Sequence, residues 1–258
     1  MDLGLHGKRA IVCASSRGLG RACALSLAEA GVEVTVNGRD PRETERTAAD
    51  IQTRTGSATN WVAADISRPE GRTALLAGCA DPDILVTNIG GPRLGDFREW
   101  DEAAWCEAIN NHMIAPIMLI RAVVDGMVAR GFGRIVNITS RAVRQPMPMN
   151  GLSNGARAGL TAFVAGLARQ LARHDVTINN LLPGPFATER QQESLRLIAA
   201  RRGETVEHVQ AERLAEVPAG RFGRVEEIGK LCAFVCGRDA GFIVGQNILI
   251  DGGAVNLV

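Results

Sequence analysis

Seven strand-like apolar runs, at 9–13, 32–36, 59–64, 83–87, 133–138, 175–181 and 246–250, alternate with helix-patterned stretches along this chain. No other feature restricts the fold as much. Strands that alternate with helices predict a parallel sheet, because each return to the starting edge needs a crossover, and a helix supplies it. Right-handed crossovers on both faces then predict a Rossmann-like, doubly wound α/β domain with seven parallel strands in the order 3-2-1-4-5-6-7 and helices on both faces. The 258 residues suffice for one large core, and no shift in composition marks a second, so a single domain is expected over 1–258.

The first run leads into Ala14-Ser15-Ser16-Arg17-Gly18-Leu19-Gly20, followed by a helical pattern through Ala28. Strand, tight small-residue turn and helix make a phosphate cradle. Small residues admit a pyrophosphate close to the backbone, and the first helix turn presents unpaired N–H groups with the positive end of the helix dipole. A plain strand–helix connection would have the same local pattern. At the end of the second run, Asn37 occupies the position where an acidic residue would hold a ribose 2′-hydroxyl. Arg39 follows just beyond, and with Arg17 it offers two guanidinium groups to a 2′-phosphate. Two solvated surface arginines are the alternative reading.

Charge and cysteine usage exclude other classes. With 29 basic against 28 acidic residues, nothing favours nucleic acid or an anionic membrane surface. Met1 to Arg9 lacks an apolar leader core, and Arg121 interrupts the apolar run from Met113, so a cytoplasmic chain that crosses no membrane is expected. Cysteines 13, 23, 79, 106, 232 and 236 form no CxxC pair, which argues against a metal site or a disulfide framework. Cys232 and Cys236 share a helix face, as core residues do.

Taken together, these blocks resemble the short-chain dehydrogenase/reductase family, and most of all its ketoacyl-carrier-protein-reductase-like branch. Gly18 and Gly20 match the second and third glycines of its TGxxxGxG loop, with Cys13 and Ala14 in place of the Thr and first Gly. Thr87-Asn88-Ile89-Gly90 resembles NNAG, Pro183-Gly184-Pro-Phe-Ala-Thr188 matches PGxxxT, and Arg221 onward and Gly245 onward match the C-terminal signatures. The resemblance implies an NADP(H) site built from Ser15, Arg17, Gly18, Leu19, Gly20, Arg39, Asp65 at the adenine, Asn88, Gly90, Arg157, Pro183, Gly184 and Thr188 at the nicotinamide amide. It implies a substrate lid over 189–218 and a homotetramer or homodimer, with contacts through the small-residue face of 156–166 and the apolar end 254–258.

The catalytic positions depart from the family. Its tetrad is Asn-Ser-Tyr-Lys, and this chain contains no tyrosine. Ser140 matches the Ser. The Tyr position is Ser153 and the Lys position, one turn on, is Arg157, with Ala158-Gly159-Leu160 fixing the register. Counting from Trp105 and back from Arg121 puts His112 at the Asn position. In an α-helix over 100–130, Pro116 would free the His112 carbonyl to hold water; a kink serving only packing is the alternative. An aliphatic hydroxyl is shorter and far less acidic than a phenol, and Arg157 does not give up its proton. The proton donor is therefore His112, an activated serine, or a water held by Ser140, Ser153 and the His112 carbonyl. A histidine bonded within its helix or at a subunit contact would explain His112 equally well. Arg93, Arg141 and Arg144 follow site segments and could face an anionic small-molecule substrate, or simply solvent. The expected activity is hydride transfer between NADP(H) and a carbonyl/alcohol pair by an altered proton path. The alternatives are a coenzyme-binding protein with little turnover, or lyase or isomerase chemistry on the same scaffold.

Overall fold

Neighbouring residues in a strand face opposite sides, and here the strand runs divide their side chains between two cores. The computed structural model describes residues 1–256. Its strands are β1 (Arg9–Val12), β2 (Glu33–Gly38), β3 (Thr59–Ala63), β4 (Ile84–Thr87), β5 (Gly133–Ile138), β6 (Val176–Pro183) and β7 (Asn247–Ile250). They form one parallel sheet in the order β3-β2-β1-β4-β5-β6-β7, as the alternation predicts.

The helices are α1 (Gly18–Glu29), α2 (Pro41–Thr55), α3 (Pro69–Ala77), α4 (Glu102–Ile109), α5 (Ala115–Arg130), α6 (Gly151–Leu171), α7 (Glu189–Arg202), α8 (Val206–Ala215) and α9 (Val225–Cys236). On one face Val12, Val86 and Val136 pack with Leu27 of α1, Ile51 of α2 and Ile228 of α9. On the other Ile11, Leu85 and Ile135 pack with Leu75 of α3, Leu119 and Met127 of α5, and Val164 of α6. Helices α1 and α9 lie close together because Gly229 has no side chain: a Cβ there would stand 2.5 Å from the Ala22 carbonyl oxygen. Cys232 and Cys236 are buried in that core.

Polar residues cross the sheet in one row. Thr87 donates to Asn137 at 2.6 Å, Asn137 donates to Asn180 at 3.0 Å, and Asn180 donates to Asn247 at 2.8 Å. The pairing registers of β4, β5, β6 and β7 align these four side chains. Such a chain is stable in the interior because each buried amide finds its partner in the next strand.

One expectation needs correction. The stretch 100–130 is not a plain α-helix kinked at Pro116. Between α4 and α5, Asn110–Ile114 widen into a π-turn, and the Ala115 N–H reaches back to the Asn110 carbonyl. A π-turn is a usual way to accommodate a residue that cannot continue the α-helical ladder, and Pro116 has no N–H to contribute. By length and hydropathy alone Glu102–Arg130 would qualify to cross a membrane, and Arg121 does not prevent this. Leu119, Ile120, Val123 and Met127 are nevertheless core residues packed against the sheet. Of the apolar end 254–258, residues 257–258 lie outside the described ones.

Candidate active site

The carboxyl ends of β1, β4, β5 and β6 open onto one side of the sheet, where ligands of doubly wound folds bind. The turn after β1 is tight. Ala14, at the position of the family's first glycine, takes φ of 43°, in the left-handed region that glycine enters without strain. Gly20 could not be another residue without rearrangement, since its Cβ would stand 2.3 Å from the Ala14 carbonyl oxygen. Gly18 has φ of 59° and opens α1, and a Cβ at Gly18 or Gly90 would meet nothing within 4 Å. The first turn of α1, around Leu19, therefore faces open space with its N–H groups unpaired, which suits a diphosphate.

Two expected coenzyme residues, Ser15 and Asn88, use their side chains to shape this cradle, as does Asn37. Ser15 is fully buried; its hydroxyl donates to the Val12 carbonyl at 2.6 Å and accepts from the Asn37 N–H at 3.0 Å. Its hydroxyl is thus used within the protein, where it fixes the loop. Asn37 accepts from the Ala14 N–H and donates to the Val62 and Ala64 carbonyls, so its amide is used within the protein. Asn88 donates to the Ala14 carbonyl at 3.2 Å and ties β4 to the loop.

The outer rim is charged. Arg39 is exposed and has no ion pair among the described residues, whereas Arg17 pairs with Glu189 at 3.1 Å. Burial works upward on the Asp65 carboxyl, but two hydrogen bonds from Ser67 and the charges of Arg39 and Arg68 outweigh it and hold the carboxyl below its ordinary range. At the opposite end, Pro183 closes β6 against Ile250 of β7. Gly184 passes Asp251 so closely that a Cβ would stand 2.6 Å from the Asp251 Cβ. Thr188 caps α7, accepting from the Gln191 N–H at 3.2 Å.

The four tetrad positions separate into two groups. Ser140 follows β5, and its oxygen accepts from the Ala142 N–H at 3.1 Å, leaving its own O–H to donate elsewhere. Ser153 is buried on the first turn of α6. Arg157, one turn further, is half-buried and donates from Nη1 to the Thr139 carbonyl at 2.7 Å. His112 is buried in the π-turn. His112 and Arg157 share a small cavity with Asn88, Pro116 and Thr139, whose water-accessible space is about 10 Å³, enough for a single water. Ser140 and Ser153 do not line it. The chamber lies beside the imidazole, the guanidinium and Thr139, whose carbonyl accepts from Arg157.

Burial lowers the His112 pKa to about 3, and the Arg157 charge adds to the shift. The shift leaves the imidazole neutral at neutral pH. Burial, followed by the charge of Arg190, brings Arg157 down to about 10, and it remains cationic. Arg190 is a site residue that the sequence did not reveal. It lies on α7 and donates to the Pro92 carbonyl at 2.7 Å, and nothing in its local sequence points to that loop. Of the arginines that could face an anionic substrate, Arg93 and Arg144 are exposed. Arg141 is buried and pairs with Glu216 at 3.4 Å, which corrects its assignment.

Residues 13–255 match the family described as enoyl-(acyl carrier protein) reductase. The chain is 32% identical to a 3-oxoacyl-(acyl-carrier-protein) reductase of Vibrio cholerae, over 97% of this chain and 98% of the relative. It is 30% identical to a gluconate 5-dehydrogenase of Gluconobacter oxydans, over 96% and 95%. Among solved structures, L-sorbose reductase from Gluconobacter frateurii, complexed with NADPH and L-sorbose, superposes with a TM-score of 0.93 at 27% identity over 100% of both chains. YwfH, an NADPH-dependent reductase involved in bacilysin biosynthesis, superposes with a TM-score of 0.92 at 26% identity, covering 98% of this chain and 100% of that one.

Proposed function

The chain belongs to the short-chain dehydrogenase/reductase family, and within it we propose an NADP(H)-dependent oxidoreductase acting on a carbonyl/alcohol pair, with water rather than tyrosine as the proton source. One observation carries this reading: the coenzyme cleft keeps both of its ends. The open glycine turn at Gly18 and Gly90 suits the diphosphate, and Pro183, Gly184 and Thr188 keep the motif that meets the nicotinamide in the family. A protein that only bound a nucleotide would have no need of the second end.

NADP(H) is favoured over NAD(H) because no carboxylate stands at Asn37 to repel a 2′-phosphate, and Arg39 is exposed and forms no salt bridge among the described residues, although its charge acts on Asp65. The two structural neighbours described above, an NADPH complex and an NADPH-dependent reductase, agree with this. When bound, the coenzyme supplies the hydride. The chain's own contribution is to orient and to protonate. The free Ser140 O–H serves as donor to the substrate oxygen, and the cation at Arg157 stabilises negative charge as it develops there. Neither the neutral His112 nor the guanidinium releases a proton at neutral pH, which leaves a water in the chamber beside them as the source, the hydroxide it becomes being reprotonated by solvent.

We also assign α7 and α8, within 189–218, to cover the substrate, and the face that exposes Ile109 and Ile114 to a contact between subunits of a homotetramer or homodimer. Calorimetry with NADPH and NADH, followed by a carbonyl and alcohol screen read by the absorbance of the reduced coenzyme, tests the main reading. Tighter NADPH binding with turnover supports it. Binding without turnover across the screen favours the coenzyme-binding alternative, and equal affinity overturns the coenzyme preference.

A further inference from the structure

A cavity with about 300 Å³ of water-accessible space lies over the amino ends of β1, β2 and β3, at the end of the sheet opposite the coenzyme cleft. Its floor follows from strand alternation. Val34 and Val36 turn into the core shared with α1, so Glu33 and Thr35 face the other side. Arg9 shares that side with Ile11, a residue of the second core. The parallel register then sets Arg9 beside Glu33 and Asn60 beside Thr35. The turn after α3 makes the wall: Asn60 donates to the Gly78 carbonyl at 2.9 Å, and Cys79 packs into the second core.

The fold leaves the charges of this cavity unused. Arg9 is half-buried and Glu33 exposed, and although they are register partners they form no ion pair, with each other or with any other described residue. The acid nearest the Arg9 backbone, Asp83, is engaged by Lys8 at 4.0 Å and by Arg130 at 3.4 Å. The inner end is neutral. Thr35 is buried with its hydroxyl beside the Cys79 thiol, and burial pushes that thiol up, so it adds no third charge.

A rim of one cation and one anion selects by charge. A simple anion drawn to Arg9 would meet Glu33, and a simple cation drawn to Glu33 would meet Arg9. A molecule that carries both charges satisfies each. Neighbouring strands stand about 4.8 Å apart, which suits an ammonium and a carboxylate borne on one carbon. The guanidinium fork also matches the two oxygens of a carboxylate.

We infer that this cavity is a second ligand site, apart from the coenzyme cleft, and that it takes a free amino acid. Its carboxylate meets Arg9, its ammonium meets Glu33, and its side chain points toward Thr35 and Cys79. The space is at the lower end of that found in small-molecule sites, as a ligand of this size requires. The inference is independent of the oxidoreductase reading.

The test is calorimetry with the standard amino acids, each against its decarboxylated amine and its deaminated acid, for wild type, Arg9→Gln and Glu33→Gln. At least one amino acid should bind wild type with a Kd of about 1 mM or tighter, and about tenfold or more tighter than either analogue. Each substitution should weaken it by about tenfold or more. In isotope-labelled wild type, the amide resonances of Thr35 and Asn60 should shift with that ligand, and those of Gly18 and Gly90 in the coenzyme cleft should not. The amide shifts need no variant, so they decide the matter if a substitution impairs folding. No binding across the panel, an analogue that binds as well as the amino acid, affinity that survives both substitutions, or shifts at Gly18 and Gly90 instead would each overturn the inference.

Discussion

The imidazole of His112 and the guanidinium of Arg157 form opposing parts of one chamber, and burial together with that cation keeps the imidazole neutral. A group with a pKa of about 3 cannot act as the acid at neutral pH. His112→Asn should therefore retain turnover within about tenfold and leave the pH–rate profile near neutrality unchanged. A fall of about 10²-fold or more with NADPH binding intact would restore the imidazole as proton donor.

The same burial predicts a dependence of stability on pH. The folded pKa of His112, about 3, lies below its ordinary value of 6.5, so the unfolded chain binds more protons between these limits. This contribution is complete above pH 6.5 and is lost as the pH falls toward 3. Between about pH 8 and about pH 5 it amounts to ~2 kcal/mol. Urea unfolding at both values should show that slope in wild type and a slope shallower by this amount in His112→Asn. Identical slopes would contradict the burial argument.

The row Thr87–Asn137–Asn180–Asn247 makes a prediction about the sheet beneath the site. Asn180→Leu is close in size but leaves the Asn137 donor and the Asn247 acceptor without partners. Unfolding in urea should show a loss of about 2–4 kcal/mol, far more than a tolerated core substitution. A change below about 1 kcal/mol would mean that the row contributes only register.

How much of this was legible in the sequence varies with the range of the interaction. The strand runs, their parallel order and the two faces follow from periodicity, which is local, and Gly18 and Gly20 show the turn because few other residues fit it. The π-turn was not legible, since Pro116 indicates only that the α-ladder must yield, not how. Ser15 is a coenzyme residue by family resemblance, but the direction of its hydroxyl, held between the Val12 carbonyl and the Asn37 N–H, depends on the pairing of β1 with β2. The asparagine row depends on the register of four strands, and Arg190 on a loop 98 residues away in the chain. Neither leaves a local pattern.

The proposed preference for NADP(H) rests chiefly on Arg39, exposed beyond β2. Arg39→Asp should weaken NADPH binding by roughly 1–3 kcal/mol and spare NADH, as read by calorimetry. Arg17, engaged by Glu189 at an exposed site, should matter less, because releasing such a pair takes little energy. Equal losses for both coenzymes in Arg39→Asp would show that Arg39 does not read the 2′-phosphate.

Isotope transfer tests most directly whether this site moves a hydride without a tyrosine. The protein is incubated with a carbonyl substrate from the screen and NADPH that carries deuterium on the reactive carbon of the nicotinamide, in ordinary water. The account predicts an alcohol with deuterium on its carbinol carbon and a proton from solvent on its oxygen, formed by wild type and slowed about 10²-fold or more by Ser140→Ala. NADPH that binds but leaves no deuterium in any product would contradict it.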